Sequence, residues 1–153
     1  MRSNRNRHLL SLALLVALMS AATWAAPKSA INTGRDRLAL QGYDAVAYST
    51  DGRPVKGSLS YEYRWKDAVW RFASATNRDR FAKDPAHYAP EFGGYCAYAV
   101  SRGTTADGDP TVWRIVDGHL YLNYSTQVQK LWEEDVPGNI VKGRGHWPGV
   151  LSK

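Results

Sequence analysis

"TVWRIVDGHLYLNYS", residues 111–125, holds two alternating apolar runs on either side of Asp117-Gly118. Alternation over a short run is the mark of a half-buried strand. Asp-Gly supplies the two left-handed residues of a type I′ hairpin turn. The stretch therefore predicts strands at 112–116 and 119–123. Ser125 follows at a helix N-cap position. Behind it, "TQVQKLWEED" turns Val128, Leu131 and Trp132 inward as one helix face. Pro137-Gly138 breaks that helix, and "NIVKGRGHWPGV" closes the domain with a short helix pinned by Trp147.

Upstream, "LSYEYRW" and "AVWRFA" flank Lys66-Asp67 and also alternate. They predict a second hairpin, at 59–64 and 68–73. Trp70 and Phe72 share one face, and Tyr61 and Tyr63 lie on the mate strand. "SATNRDRFAKDPAHYAP" then changes to a helical period. Ser74 caps it, Phe81 points inward, and Pro85 ends the helix or opens another turn. "STDGRPVKGS", 49–58, is a turn-rich loop. "APEFGGYCAYAVSRGTT" admits two readings. A helix from about Gly94 sets Cys96 beside Ala99, Val100 and Gly103, with Gly103 as the left-handed stop. A strand puts Cys96, Tyr98 and Val100 on one face. Two hairpins and three or four short helices without regular βαβ alternation predict a small α+β domain. No internal repeat and no low-complexity tract is evident.

The chain start reads differently. "MRSNRNRH" is basic, "LLSLALLVALM" is apolar apart from Ser11, and "SAATWAA" is small-residue-rich. This is the pattern of a secretory signal peptide over 1–25, with the periplasm as destination and no lipid or membrane anchor. A flexible linker is expected over 26–37 and the domain over 38–150. The formal charge of +6 belongs largely to the signal, because Arg2, Arg5 and Arg7 leave with it and +3 remains. That modest charge, with export, makes nucleic acid a poor guess as a partner, and none is expected. Both methionines, Met1 and Met19, lie in the signal, so the domain has no thioether for reduced copper.

Few residues carry chemistry. Cys96 is the only cysteine. As a core residue it is a small, inert hydrophobe; as a ligand or exposed thiol it is reactive. Asp44, in "GYDAVAY", is either an Asx-turn or helix cap or a carboxylate turned into a pocket. His87, nine residues before Cys96, reaches the thiol if the chain reverses once. His119 and His146 read as solvated. No CxxC, HxxxH, Ser/His/Asp set or glycine-rich phosphate loop is present. An enzyme is disfavoured because the thiol has neither a visible base nor a resolving cysteine.

"GYDAVAY", "WRFASATNRDRFAKDPAHY", "YAPEFGGYCAYAVSRG", "DPTVWRIVDGHLYLNYS" and "GHWPGV" occur in order across about residues 38–150. Together they resemble the exported branch of the YHS-domain family, which is related to the TRASH metal-binding modules. In metal-binding relatives the motifs run approximately "DPVCGM" and "YYFCSxxCxxxFxxDPxxY". Here Asp44, Val46, Phe72, Ser74, Phe81, Asp84, Pro85 and Tyr88 match. The three cysteine positions are Ala47, Ala73 and Asn77. The resemblance thus implies a YHS-like fold without the family's thiolate site. The functional expectation is non-enzymatic binding of a metal ion, copper or zinc, or of a small ligand near Cys96, His87 and Asp44. The alternative is a structural or protein-interaction module with Cys96 buried in its core.

Overall fold

The computed structural model describes residues 26–153. The signal peptide expected over 1–25 lies outside the described residues. The domain is α+β. A short helix α1 (Ala47–Thr50) precedes the hairpin β1 (Ser58–Trp65) and β2 (Ala68–Phe72), then α2 (Ala75–Lys83) and α3 (Pro85–Tyr88). A second series follows: α4 (Ala97–Ser101), the hairpin β3 (Asp109–Val116) and β4 (His119–Asn123), then α5 (Thr126–Glu133) and α6 (Val136–His146). Each hairpin is its own two-stranded antiparallel sheet.

The two series are one unit built twice, which corrects the expectation of no internal repeat. Ser58 pairs with Phe72 and Glu62 with Arg71; Asp109 pairs with Asn123 and Trp113 with Leu122. Each hairpin therefore has its register shift at the same place, and the equivalent residues stand 51 positions apart. Tyr43 bridges to Lys56 as Tyr95 does to Asp107; the first of these loops is one residue longer, so equivalent residues ahead of it, such as Tyr43 and Tyr95, stand 52 positions apart. Ser74 accepts from Asn77 N, and Ser125 from Val128 N. Asp84 and Asp135 hold the same unusual backbone (φ −147, ψ 72 and φ −150, ψ 72), and each caps the residue three further on. The turn residues Lys66-Asp67 and Asp117-Gly118 all have positive φ, as a type I′ turn requires.

Two glycines show how deep the repetition goes. A Cβ on Gly57 would stand 2.7 Å from Arg71 Cβ, and one on Gly108 would stand 2.8 Å from Leu122 Cβ. Both positions let a loop lie against the second strand of its own hairpin. Neither neighbour can withdraw without breaking the register. Gly57→Ala and Gly108→Ala are each expected to destabilise by about 1–3 kcal/mol, the usual cost of overpacking. Urea melts compare the two; a change within ~0.5 kcal/mol, the range of ordinary surface changes, would contradict close contact.

The core forms two clusters, and Leu120 and Leu122 of the second hairpin belong to the first of them. Trp70, Phe72 and Phe81 centre one cluster, with Tyr61 and Tyr63 packed against it. Phe92, Val100, Tyr121, Trp132 and Ile140 form the other. Three expectations need correction. Leu131 is 44% exposed, because Val128 and Trp132 lie one turn apart and Leu131 is rotated about 100° from Trp132. Pro137 stands in the first turn of α6, where its missing N–H costs nothing; it opens an 11-residue helix instead of only ending α5. Residues 26–37, expected as a flexible linker, are docked on the domain. Lys28 N donates to Leu151 O, Asn32 N donates to Gly93 O, and Ile31 is 3% exposed in the first core.

Candidate functional site

Asp44 is wholly buried. Its Oδ1 accepts from Val46 N (2.8 Å) and Ala47 N (3.3 Å), and its Oδ2 from Ala73 N and Asn77 Nδ2 (both 2.8 Å). This is the Asx-turn and cap geometry, extended to the start of α2. A carboxylate with four donors is satisfied and has little left to offer a ligand. Ala47, Ala73 and Asn77 are the three positions where the YHS resemblance places thiolates. All three meet at the Asp44 carboxylate, so hydrogen bonds to a fixed anion join the same pieces of chain.

The second repeat does the same work with other residues. Cys96 stands where Asp44 does, and thiol sulfur is a weak acceptor. Asn123 stands where Phe72 does. Its Oδ1 accepts from Tyr98 N (3.1 Å), the counterpart of Val46 N, and from Cys96 Sγ (3.6 Å). Cys96 is the residue before α4 and also bridges in parallel to Leu122. The helix reading holds from Ala97; the strand reading, with Cys96, Tyr98 and Val100 on one face, is corrected, since only isolated bridges at Tyr95 and Cys96 precede the helix. The Cys96 thiol is 1% exposed. Native Cys96 is therefore expected to resist a thiol reagent and to react on unfolding, because the nucleophile must be an accessible thiolate. Mass spectrometry after timed labelling checks this; rapid labelling of the folded protein would contradict it.

His87 lies on the exposed α3, its ring edge-on to Tyr88 with centroids 4.7 Å apart. Asp44 and Cys96 sit in different repeats. Among the described residues no group of three or more His, Cys, Asp or Glu side chains is placed to hold a metal ion. His119 is half-exposed and pairs through Nδ1 with Glu91 at 2.9 Å.

A groove opens where the repeats meet. One hollow of about 210 Å³ is lined by Asn32, Thr33, Leu40, Gln41, Gly94 and Asp107, among others. A second, of about 260 Å³, shares Gln41, Asp107 and Gly108 and adds Asp109 and Tyr124. Gln41 comes from the first repeat, Asp107 to Tyr124 from the second, and Asn32 and Thr33 from the docked N-terminal segment. The repeats are tied beneath it by Tyr48, whose buried hydroxyl donates to Pro110 O at 2.9 Å. Burial pushes that phenol well above its ordinary pKa, which keeps it a donor. Asp107 is exposed and makes no ion pair among the described residues. Asp109 Oδ1 is taken by Thr111 N and Oγ1.

Sequence reasoning missed this groove, because its residues come from three distant segments. One signal was available: Tyr124 follows four buried residues of β4 and is 60% exposed. Among the described residues no helix is long and apolar enough to cross a membrane. Searches of family models, curated proteins and solved structures found no match to this chain.

Proposed function

We propose that this chain is an exported binding domain of YHS type that holds a small organic ligand in the groove between its repeats. Cys96 and Asp44 build the fold in this reading, and they do not hold the ligand. The observation that carries it is Gln41. Its counterpart in the second repeat is Gly93, and both have a left-handed backbone, φ 50 and φ 62. A non-glycine residue there costs on the order of 1–3 kcal/mol, and such strain collects at binding sites. Glycine would relieve it, yet the position carries an amide side chain that lines the groove. Hollows at the junction of two structural units are common small-molecule sites.

Native mass spectrometry of protein recovered from the periplasm tests the reading. The expected spectrum shows an organic adduct that is absent from Gly34→Trp. Gly34 lines the first hollow, with extended backbone and nothing within 4 Å of its Cβ position, so a large side chain there is expected to obstruct the groove without disturbing the core. A metal adduct that disappears in Cys96→Ser would overturn this reading in favour of a metal-binding one.

A further inference from the structure

We infer that the ligand of the groove is an uncharged saccharide, stacked on Tyr124 and hydrogen-bonded by Gln41, Asn32 and Asp107. This deepens the binding reading above and rests on it. The charged residues lining the two hollows are Asp107 and Asp109, and Lys56, which does not line them, spends its ammonium on the Gln41 carbonyl at 3.1 Å. Two carboxylates repel phosphates and organic acids. A sugar hydroxyl suits them, since an ionised carboxylate only accepts hydrogen bonds. Asn32 and Gln41 add amides, which both donate and accept, and Thr33 adds a hydroxyl. That mixture matches a ligand whose every polar group is itself donor and acceptor.

Tyr124 completes the set. Its ring is exposed beside the second hollow, on the strand exit directly after the fully buried Asn123. An aromatic ring offers flat apolar area at low conformational cost. The C–H face of a pyranose is such an apolar surface, with hydroxyls at its rim. The strained backbone at Gln41 then has a purpose: it aims one amide at the hydroxyl edge of a sugar lying across both hollows.

Isothermal titration calorimetry of the mature protein tests this with maltose, cellobiose, lactose and N,N′-diacetylchitobiose as probes. Calcium chloride, spermidine and sodium phosphate serve as contrasts. At least one disaccharide is expected to bind and the three contrasts are not. Tyr124→Ala and Gln41→Gly are each expected to weaken that binding about tenfold or more, the loss of roughly 1.4 kcal/mol. Gln41→Gly should do so without lowering the melting temperature, because it relieves the left-handed strain. A residue with only a structural role would not separate binding from stability in that way. Silence from every disaccharide, or binding unchanged in both variants, overturns the saccharide assignment. Binding of calcium or spermidine abolished by Asp107→Asn would overturn the ligand class and keep the groove. Silence from all probes, together with identical native masses for the unsubstituted protein and Gly34→Trp, would remove both.

Discussion

Asp44→Ala is expected to lower the unfolding free energy by on the order of 3–5 kcal/mol, the scale of leaving a buried charge-assisted network open. The carboxylate takes hydrogen bonds from Val46 N, Ala47 N, Ala73 N and Asn77 Nδ2. Alanine leaves these donors facing one another around a small void. Asp44→Asn is expected to lose nearly as much. Its amide nitrogen must replace one oxygen and then faces donors with a donor. Guanidinium melts of the three proteins decide the point. Variants that melt within ~0.5 kcal/mol of the unsubstituted protein would mean that Asp44 does not hold the first repeat together.

The second large effect belongs to Phe81. Its ring lies 4.8 Å from Trp70, 5.1 Å from Phe72, 5.9 Å from Trp65 and 6.1 Å from Tyr63, centroid to centroid. It is wholly buried at the point where α2 closes on its hairpin. Phe81→Ala is expected to cost about 3–5 kcal/mol from lost burial and the cavity left behind. The repeat supplies a contrast. Trp132 occupies the equivalent place in α5, and its buried Nε1 has no hydrogen-bond partner. Trp132→Phe removes an unsatisfied donor and installs the residue of the first repeat. Its cost is expected below ~1.5 kcal/mol, near that of a tolerated core swap. Equal losses in Phe81→Ala and Trp132→Phe, measured by denaturant melts, would contradict the equivalence of the two positions.

The hairpins were legible because alternation and turn residues are local signals. Asp117-Gly118 and the caps Ser74 and Ser125 needed no tertiary knowledge. Leu131 was misplaced because one apolar residue beside a helix stripe can fall on either side of its edge. The duplication was hidden for a different reason. "QGYDAVAYS" and "GGYCAYAVS" share their glycine, tyrosine and small residues, but the residues that perform the capping differ. Asp44 does from its own loop what Asn123 does from the end of β4. Exchanging which partner supplies the oxygen preserves the backbone and erases the sequence match. The groove was hidden by distance along the chain, since Asn32, Gln41, Asp107 and Tyr124 meet only after the repeats pair.

The metal expectation at Cys96, His87 and Asp44 came from residue types, and geometry separates those residues. Asp44 is engaged by four donors, His87 sits on the outer α3, and Cys96 is enclosed with Asn123. The YHS resemblance gains a physical sense from this arrangement. The chain segments that thiolates and a metal would join are joined here by one carboxylate.

Zinc stoichiometry by equilibrium dialysis tests that claim most directly, on the unsubstituted protein beside the combined variant Ala47→Cys, Ala73→Cys, Asn77→Cys. The variant restores the three thiolates that the resemblance implies, and replacing Asn77 frees one hydrogen bond of the Asp44 carboxylate, so three sulfurs and one oxygen are available as the four ligands zinc takes. The account predicts one equivalent of zinc in the variant and only substoichiometric zinc in the unsubstituted protein, with Cys96 protected in both. One equivalent in the unsubstituted protein, lost in Cys96→Ser, would contradict it.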